Sequence, residues 1–331
     1  MVTARHVLFP EGADHEMEDP RDAHTQRHNV LILSNEFFAY RTMDVDNKIG
    51  GQDRIISSEK VWSTSLDARQ PTYPIDARVV GEEAIQKAGR DKKRLKEFSE
   101  EIWSCWSAEH KRVLGHVVFS PPITVGEAPL QFTQDIAVID VDPLKVDPSM
   151  FEGNVIDLGF KYTPSGLTKM MHPNPKNPPN LNFKFPENRL LPLRGTVGLD
   201  ELHKPTTYDE HGNRCLLVLK NGKSTGLTVG RANSLMSITR QLSPCGTRYL
   251  IAYQWAIFPY DDDSGPFAAE GDSGAAVVDG AGRIAGIINS ANGAGAWHGM
   301  GHGLTYVTPI DAVMKVIKDF EPLKEVYVKP A

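Results

Sequence analysis

The feature that most constrains this fold is the series of short apolar strands separated by turn residues after residue 200. Residues 215–219 are followed by Asn221-Gly222, and then come 226–230, 249–258, 275–278, 284–288 and 304–307. Short strands punctuated by Gly, Asn and Asp, at spacings of roughly 8–12 residues, predict an antiparallel barrel or sandwich. An amphipathic helix is expected over 308–319, with Thr308 suited to its N-cap and Pro309 to its first turn.

Upstream the pattern is mixed. Residues 1–80 combine strand-like runs such as Val30-Leu31-Ile32-Leu33 with loops. Over 82–108, Leu95, Phe98, Ile102 and Trp106 recur at helical steps with charged residues between them, and this predicts one amphipathic helix. The basic run 91–96 reads as its solvated face. Strands are expected again at 113–119 and 135–140. Residues 171–192 contain six prolines and read as an irregular connection, since proline removes a donor and fixes φ. The expected division is 1–170, with the helix at 82–108 as an insertion, a crossing at 171–204, a second domain at 205–318 and a tail at 319–331.

Composition narrows the function classes. The chain has 331 residues, 40% apolar and 24% charged, which excludes collagen, a coiled-coil rod and a wholly disordered chain. A net charge of −6, from 36 basic and 42 acidic residues, does not offer the basic balance of a nucleic-acid binder. No run approaches the ~18 apolar residues of a membrane span. Three cysteines, Cys105, Cys215 and Cys245, form no CxxC pair and no disulfide framework, so no metal site is called for. Few cysteines and no visible signal lean towards an intracellular setting.

Gly271-Asp272-Ser273-Gly274 carries the chemistry. It stands immediately before the apolar run 275–278, so the serine sits at a turn entering a strand. Flanking glycines allow a tight turn whose N–H groups converge, and such a pair can hold the oxygen of a tetrahedral intermediate. This tetrapeptide arises by chance in a chain of this length on the order of once in a hundred. A serine hydroxyl needs a base, and the base needs an orienting acceptor. His6, in Thr3-Ala4-Arg5-His6-Val7, and Asp135, opening Asp135-Ile136-Ala137-Val138-Ile139, supply those types in the order His, Asp, Ser. His116, within a strand pattern, is the competing base.

These segments resemble the chymotrypsin-fold serine endopeptidases over 1–10, 113–140 and most of 215–318. Thr3-Ala4-Arg5-His6 resembles the family's Thr-Ala-Ala-His and departs from it at Arg5. Gly286-Ile287-Ile288-Asn289 is similar to the substrate-binding strand. Lys220-Asn221-Gly222-Lys223-Ser224-Thr225-Gly226 and Tyr306-Val307-Thr308-Pro309 resemble the streptogrisin and α-lytic branch, and fungal trypsin-like proteins with helical insertions look closer still.

The resemblance implies an all-β fold with a helical insertion: two antiparallel Greek-key barrels and a C-terminal helix. It implies Ser273 as nucleophile, His6 as general base and acid, and Asp135 as the group that fixes the imidazole. The N–H groups of Gly271 and Ser273 would form the oxyanion hole. Asn289, Ser290 and Ala291 would line the substrate strand, with Leu304, Thr305 and Tyr306 on the opposite wall. Asp272 needs a cation if buried, and Lys220 occupies the place where this branch supplies one. A peptide or protein substrate is implied, with no cofactor and no metal. The helix at 82–108 is a candidate partner surface.

The departures matter as much. The family's catalytic histidine follows two complete strands, whereas His6 is the sixth residue, so the first barrel is expected to lack its N-terminal strands. Either Met1 is an internal methionine of a longer chain or a truncated protein survives without full catalysis. Two alternatives to an active endopeptidase remain: a catalytically impaired protease-like scaffold that binds peptide or protein, and an unrelated β-rich binding module.

Overall fold

A computed structural model describes residues 1–9, 27–67, 75–128, 131–147, 149, 151, 153–177, 183–242, 249–291 and 303–328. Cys245 and residues 292–302 lie outside the described residues. Contacts divide the chain into two units, 29–115 and the remainder.

The larger unit is mostly β-sheet, in several antiparallel sheets, with a few short helices. The unit opens with β1 (Val2–Thr3) and the one-turn helix α1 (Arg5–Leu8). In chain order, the 29–115 unit then holds β2 (Asn29–Leu31), α2 (Asn35–Asp67), α3 (Ile75–Trp106) and α4 (Glu109–Arg112). The larger unit resumes within β3 (Val113–Phe119), followed by β4 (Thr124–Val125), β5 (Thr133–Gln134), β6 (Ala137–Val141) and β7 (Val155–Asp157). Helices α5 (Pro164–Met171) and α6 (Leu199–His203) flank β8 (Leu190–Pro192). Then come β9 (Leu216–Gly222), β10 (Gly226–Leu242), β11 (Tyr249–Pro259), β12 (Ala276–Asp279), β13 (Ile284–Ala291), β14 (Thr305–Pro309) and the C-terminal helix α7 (Ile310–Asp319).

The strands expected after residue 200 close into one six-stranded barrel, in the order β10-β11-β14-β13-β12-β9. Its interior holds Trp255, Ile257, Val277, Ile288 and Val307, each at most 1% exposed. On another side Leu217, Leu219 and Val229 pack with Ile156, Leu158, Leu167, Phe183, Leu191 and Leu193. The segment 171–204 is therefore more than a crossing: β8 pairs with β7, and its apolar residues join the core. The prolines break long elements there without stopping burial. Towards the N-terminus β1 lies beside β6 and β6 beside β3. Phe119, Ile136 and Val138 pack with Ile310, Val313 and Ile317 of α7.

Two expectations about local structure fail for tertiary reasons. The turn expected at Asn221-Gly222 falls at 223–225, because Ser224 and Thr225 are drawn to the Asp272 carboxylate. Thr308 does not cap α7. Pro309 is the N-cap residue, and the Thr308 hydroxyl donates to the Thr133 carbonyl at 3.0 Å.

The 29–115 unit corrects the reading of 1–80 as strands and loops. Two helices run over 35–67 and 75–106, and the second begins before the expected 82. At about 100° per residue, Phe38, Val45, Ile49 and Ile56 share one side of α2, while Tyr40, Met43, Ile55, Val61 and Trp62 lie on the other. Opposed apolar stripes cancel the amphipathic signal, and Gly50-Gly51 between them argues against a helix. What holds α2 is its neighbour. Gly81 of α3 lies against the Trp62 ring and the Glu59 carboxylate, and Lys92 pairs with Asp53. Phe98, expected on the buried face of α3, is 49% exposed.

Of the described cysteines, Cys105 is exposed and Cys215 buried, and both are free thiols. Burial pushes the Cys215 thiol up to about 12, so it stays protonated and inert.

Gly230 sits where β9, β10 and β11 meet, and a Cβ there would stand 2.6 Å from Phe267 and 2.7 Å from Ile257. Gly230→Ala is expected to destabilise the barrel by about 1–3 kcal/mol, read as a lower urea midpoint with the slope unchanged.

Candidate active site

Three pieces of chain distant in sequence meet in the larger unit. The first is the turn 271–274 before β12. Gly271 and Gly274 have φ of 93° and 83°, the left-handed region that favours glycine. Space is equally restrictive: a Cβ on Gly271 would stand 2.5 Å from Ser224 Oγ, and one on Gly274 2.1 Å from Thr3 Oγ1. The Gly274 N–H donates to the Ile288 carbonyl at 2.8 Å, which docks the turn on β13. Ser273 between them is half-buried. Among the described residues neither the Gly271 nor the Ser273 N–H has an acceptor, and the Ser273 hydroxyl makes no hydrogen bond.

The conformation of this turn is set by Asp272. Its carboxylate is buried, with Lys220 Nζ 2.9 Å from Oδ2 and no exposed side-chain surface on either partner. Oδ2 also accepts from the Thr225 hydroxyl at 2.7 Å and the Ala269 N–H at 3.1 Å, and Oδ1 from the Ser224 N–H at 2.7 Å. Lys220 Nζ donates in addition to the Gly226 carbonyl at 3.1 Å and to Thr225. Burial pulls the Asp272 pKa upward, but the bonds from Thr225, Lys220, Ser224 and Ala269 outweigh it and leave the group below the usual carboxylate value. Burial lowers the Lys220 pKa, while Asp272 opposes the shift. The two directions conflict for a simple pair. The carboxylate's shift agrees with the geometry, which is that of an ion pair.

The second and third pieces are α1 and the segment between β5 and β6. His6 Nδ1 lies 2.5 Å from Asp135 Oδ2, and the His6 backbone N–H donates to Asp135 Oδ1 at 3.1 Å. One carboxylate thus holds both the ring and the peptide of a single residue. Asp135 is 8% exposed, whereas the His6 side chain keeps 37% of its surface. The histidine-bearing segment is placed by β1, where Val2 pairs with Val138 and Thr3 with Ala137. It reaches the serine turn through Gly274, whose missing Cβ leaves room for Thr3 and the Ala4 N–H. Among the described residues, Ser273 is not hydrogen-bonded to His6, and His116 is bonded to neither Asp135 nor Ser273.

The six residues expected to line a substrate site divide. Ser290 pairs with Tyr306, and Ala291 with Thr305, in one antiparallel ladder. The two strips are neighbours on a sheet rather than facing walls. Leu304, Tyr306 and Ser290 are half-buried, but Thr305 is fully buried, its hydroxyl without a partner among the described residues, and Ala291 packs against the barrel core. The ladder shifts register at Asn289, and its side chain is buried like that of Ile288 before it. Asn289 Nδ2 donates to Gln254 Oε1 at 2.8 Å and to Thr308 Oγ1 at 2.9 Å. Gln254 Nε2 in turn donates to Thr133 Oγ1 at 2.5 Å. Asn289 therefore belongs to a buried polar link between the barrel and the strand two residues before Asp135.

Sequence reasoning missed Gln254, Thr133, Arg5 and Ser120. Gln254 carried the clearest signal, a lone amide within the apolar run 249–259. Among the described residues no group of three or more His, Cys, Asp or Glu could hold a metal ion, and no helix is long and apolar enough to cross a membrane.

No family model matches this chain, and no curated protein is significantly similar to it.

Lys220→Met leaves a buried carboxylate without its cation, which is expected to cost about 3–5 kcal/mol in chemical denaturation. The pH dependence tests the cause. Since the folded Asp272 lies below its ordinary 3.8, the wild-type contribution is complete above that value and lost as pH falls through the lower folded pKa. The gap between variant and wild type should narrow in acid.

Proposed function

We propose that this chain is a serine endopeptidase with His6, Asp135 and Ser273 as its catalytic groups, working through an acyl-enzyme. The observation that carries the reading is the doubly bonded His6–Asp135 pair, whose histidine-bearing segment touches the serine turn at Gly274. On this reading Asp135 holds Nδ1 protonated and leaves Nε2 to take the Ser273 proton. Ser273 then attacks a peptide carbonyl, and the oxyanion is received by the N–H groups of Gly271 and Ser273, which have no acceptor among the described residues. His6 returns the proton to the leaving amine, and water repeats the sequence to release the acyl group. The missing Ser273–His6 bond is compatible with this, because catalytic hydrogen bonds often tighten only when substrate is bound.

The Lys220–Asp272 pair fits the chymotrypsin-like reading, in which an internal lysine holds the residue before the nucleophile. In that reading the closed barrel β9–β14 is the second of two Greek-key barrels, and β1, β3 and β6 belong to an incomplete first one. Substrate would lie along Ser290, Leu304 and Tyr306. The short sheet around β6 and the Ser273 hydroxyl, unbonded among the described residues, favour one second reading, a protease-like scaffold that binds peptide without turnover.

A fluorophosphonate probe separates the two. Covalent labelling of the chain is expected, abolished in Ser273→Ala and slowed about 10⁴-fold or more in His6→Ala. Absence of labelling in wild type, with peptide binding retained, establishes the scaffold instead.

A further inference from the structure

We infer that Arg5 is a positioning residue for His6, fastening the histidine-bearing turn to the strand that leads from Asp135; this rests on the endopeptidase reading above. Helix α1 spans only four residues, and a single helical turn has no stability of its own. The position of His6 must therefore come from tertiary anchors. Ahead of it stand the β1 pairing and the buried Ala4; beyond it, Val7 is 50% exposed. Arg5 is the last buried residue before the histidine, at 3% exposure, an unusual place for a guanidinium.

Its bonds explain why it is there. Arg5 Nη1 donates to the carbonyl of Ser120 at 2.5 Å and to its hydroxyl at 2.7 Å. The Ser120 hydroxyl, fully buried at the end of β3, donates to the Ile136 carbonyl at 3.4 Å. Ile136 follows Asp135 directly. The guanidinium carbon also lies 4.3 Å from the Phe9 ring centroid, closing the turn from its far side. Histidine and aspartate are thus held twice: directly by their own bonds, and through the buried path Arg5–Ser120–Ile136. The direct bonds fix the distance within the pair. The second path fixes where α1 sits on the strands, and so where the outer ring nitrogen points relative to Ser273. A base displaced by about 1 Å can lose 10²-fold in rate.

The test uses the full chain and the fluorophosphonate probe, with the maximal labelling rate separated from the concentration giving half of it. Arg5→Ala is expected to lower the maximal rate about 10²-fold, with half-saturation unchanged. Millimolar guanidinium should restore part of the loss by filling the vacated site, and Arg5→Lys should fall between wild type and Arg5→Ala. The proton NMR signal of His6 Nδ1–H, downfield in wild type, should broaden or move in Arg5→Ala. A folded Arg5→Ala variant labelled within threefold of wild type overturns the inference. So does a rate loss that neither guanidinium nor lysine relieves while the His6 signal stays in place. If Arg5→Ala does not fold, Arg5→Lys decides alone: a wild-type rate overturns the assignment. Failure of wild type itself to label Ser273 refutes the endopeptidase reading and is a separate result.

Discussion

Much of this molecule turns on one carboxylate taken out of water. Asp272 has a lysine and four backbone or hydroxyl donors converging on it, and each of those donors is fixed by where it comes from. Lys220 rises from β9, Ser224 and Thr225 from the turn between β9 and β10, and Ala269 from the approach to β12. A buried charge tolerates few arrangements, because any bond left unmade exposes the full cost of desolvation. The turn 271–274 is thereby held in one conformation, with Gly271 and Gly274 at positive φ and Ser273 between them half-buried.

The N-terminal segment is organised by the same logic with different groups. It is too short to fold locally, and it borrows its shape from β6, from Asp135, from Ser120 and from the space over Gly274. The polar link Thr133–Gln254–Asn289–Thr308 does for the interior what Asp272 does for the turn. It joins the strand before Asp135 to β11, β13 and β14, so the groups proposed for catalysis share a frame rather than hanging from separate loops. Apolar packing supplies most of the cohesion, but hydrogen bonds specify the register, being directional where the hydrophobic effect is not.

The parts of the sequence that could be read are those whose cause is local. The glycines of Gly-Asp-Ser-Gly permit a tight turn, and the strands of the barrel announce themselves by short apolar runs between turn residues. Helix α2 could not be read, because its opposed apolar stripes cancel and its glycines argue against it; the neighbouring α3 overrides both. The division of 289–291 and 304–306 into inward and outward residues was hidden too. A single-residue shift at Asn289 reverses the alternation on which any such reading depends, and that shift is a property of the ladder with β14. Arg5 looked like a departure from a motif until its acceptor, 115 residues away, was in view.

By itself, then, the sequence determined a strand-rich C-terminal half, a serine on a glycine-flanked turn and the His, Asp and Ser side chains from which a catalytic set is proposed. Tertiary structure decided that His6 meets Asp135, that the segment bearing His6 touches the serine turn, that Lys220 is buried against Asp272 and that two long helices stand at 35–67 and 75–106. The reason is the range of the forces involved. Turn preference and strand patterning act over a few residues, whereas pairing of buried polar groups depends on which surfaces the whole chain brings together.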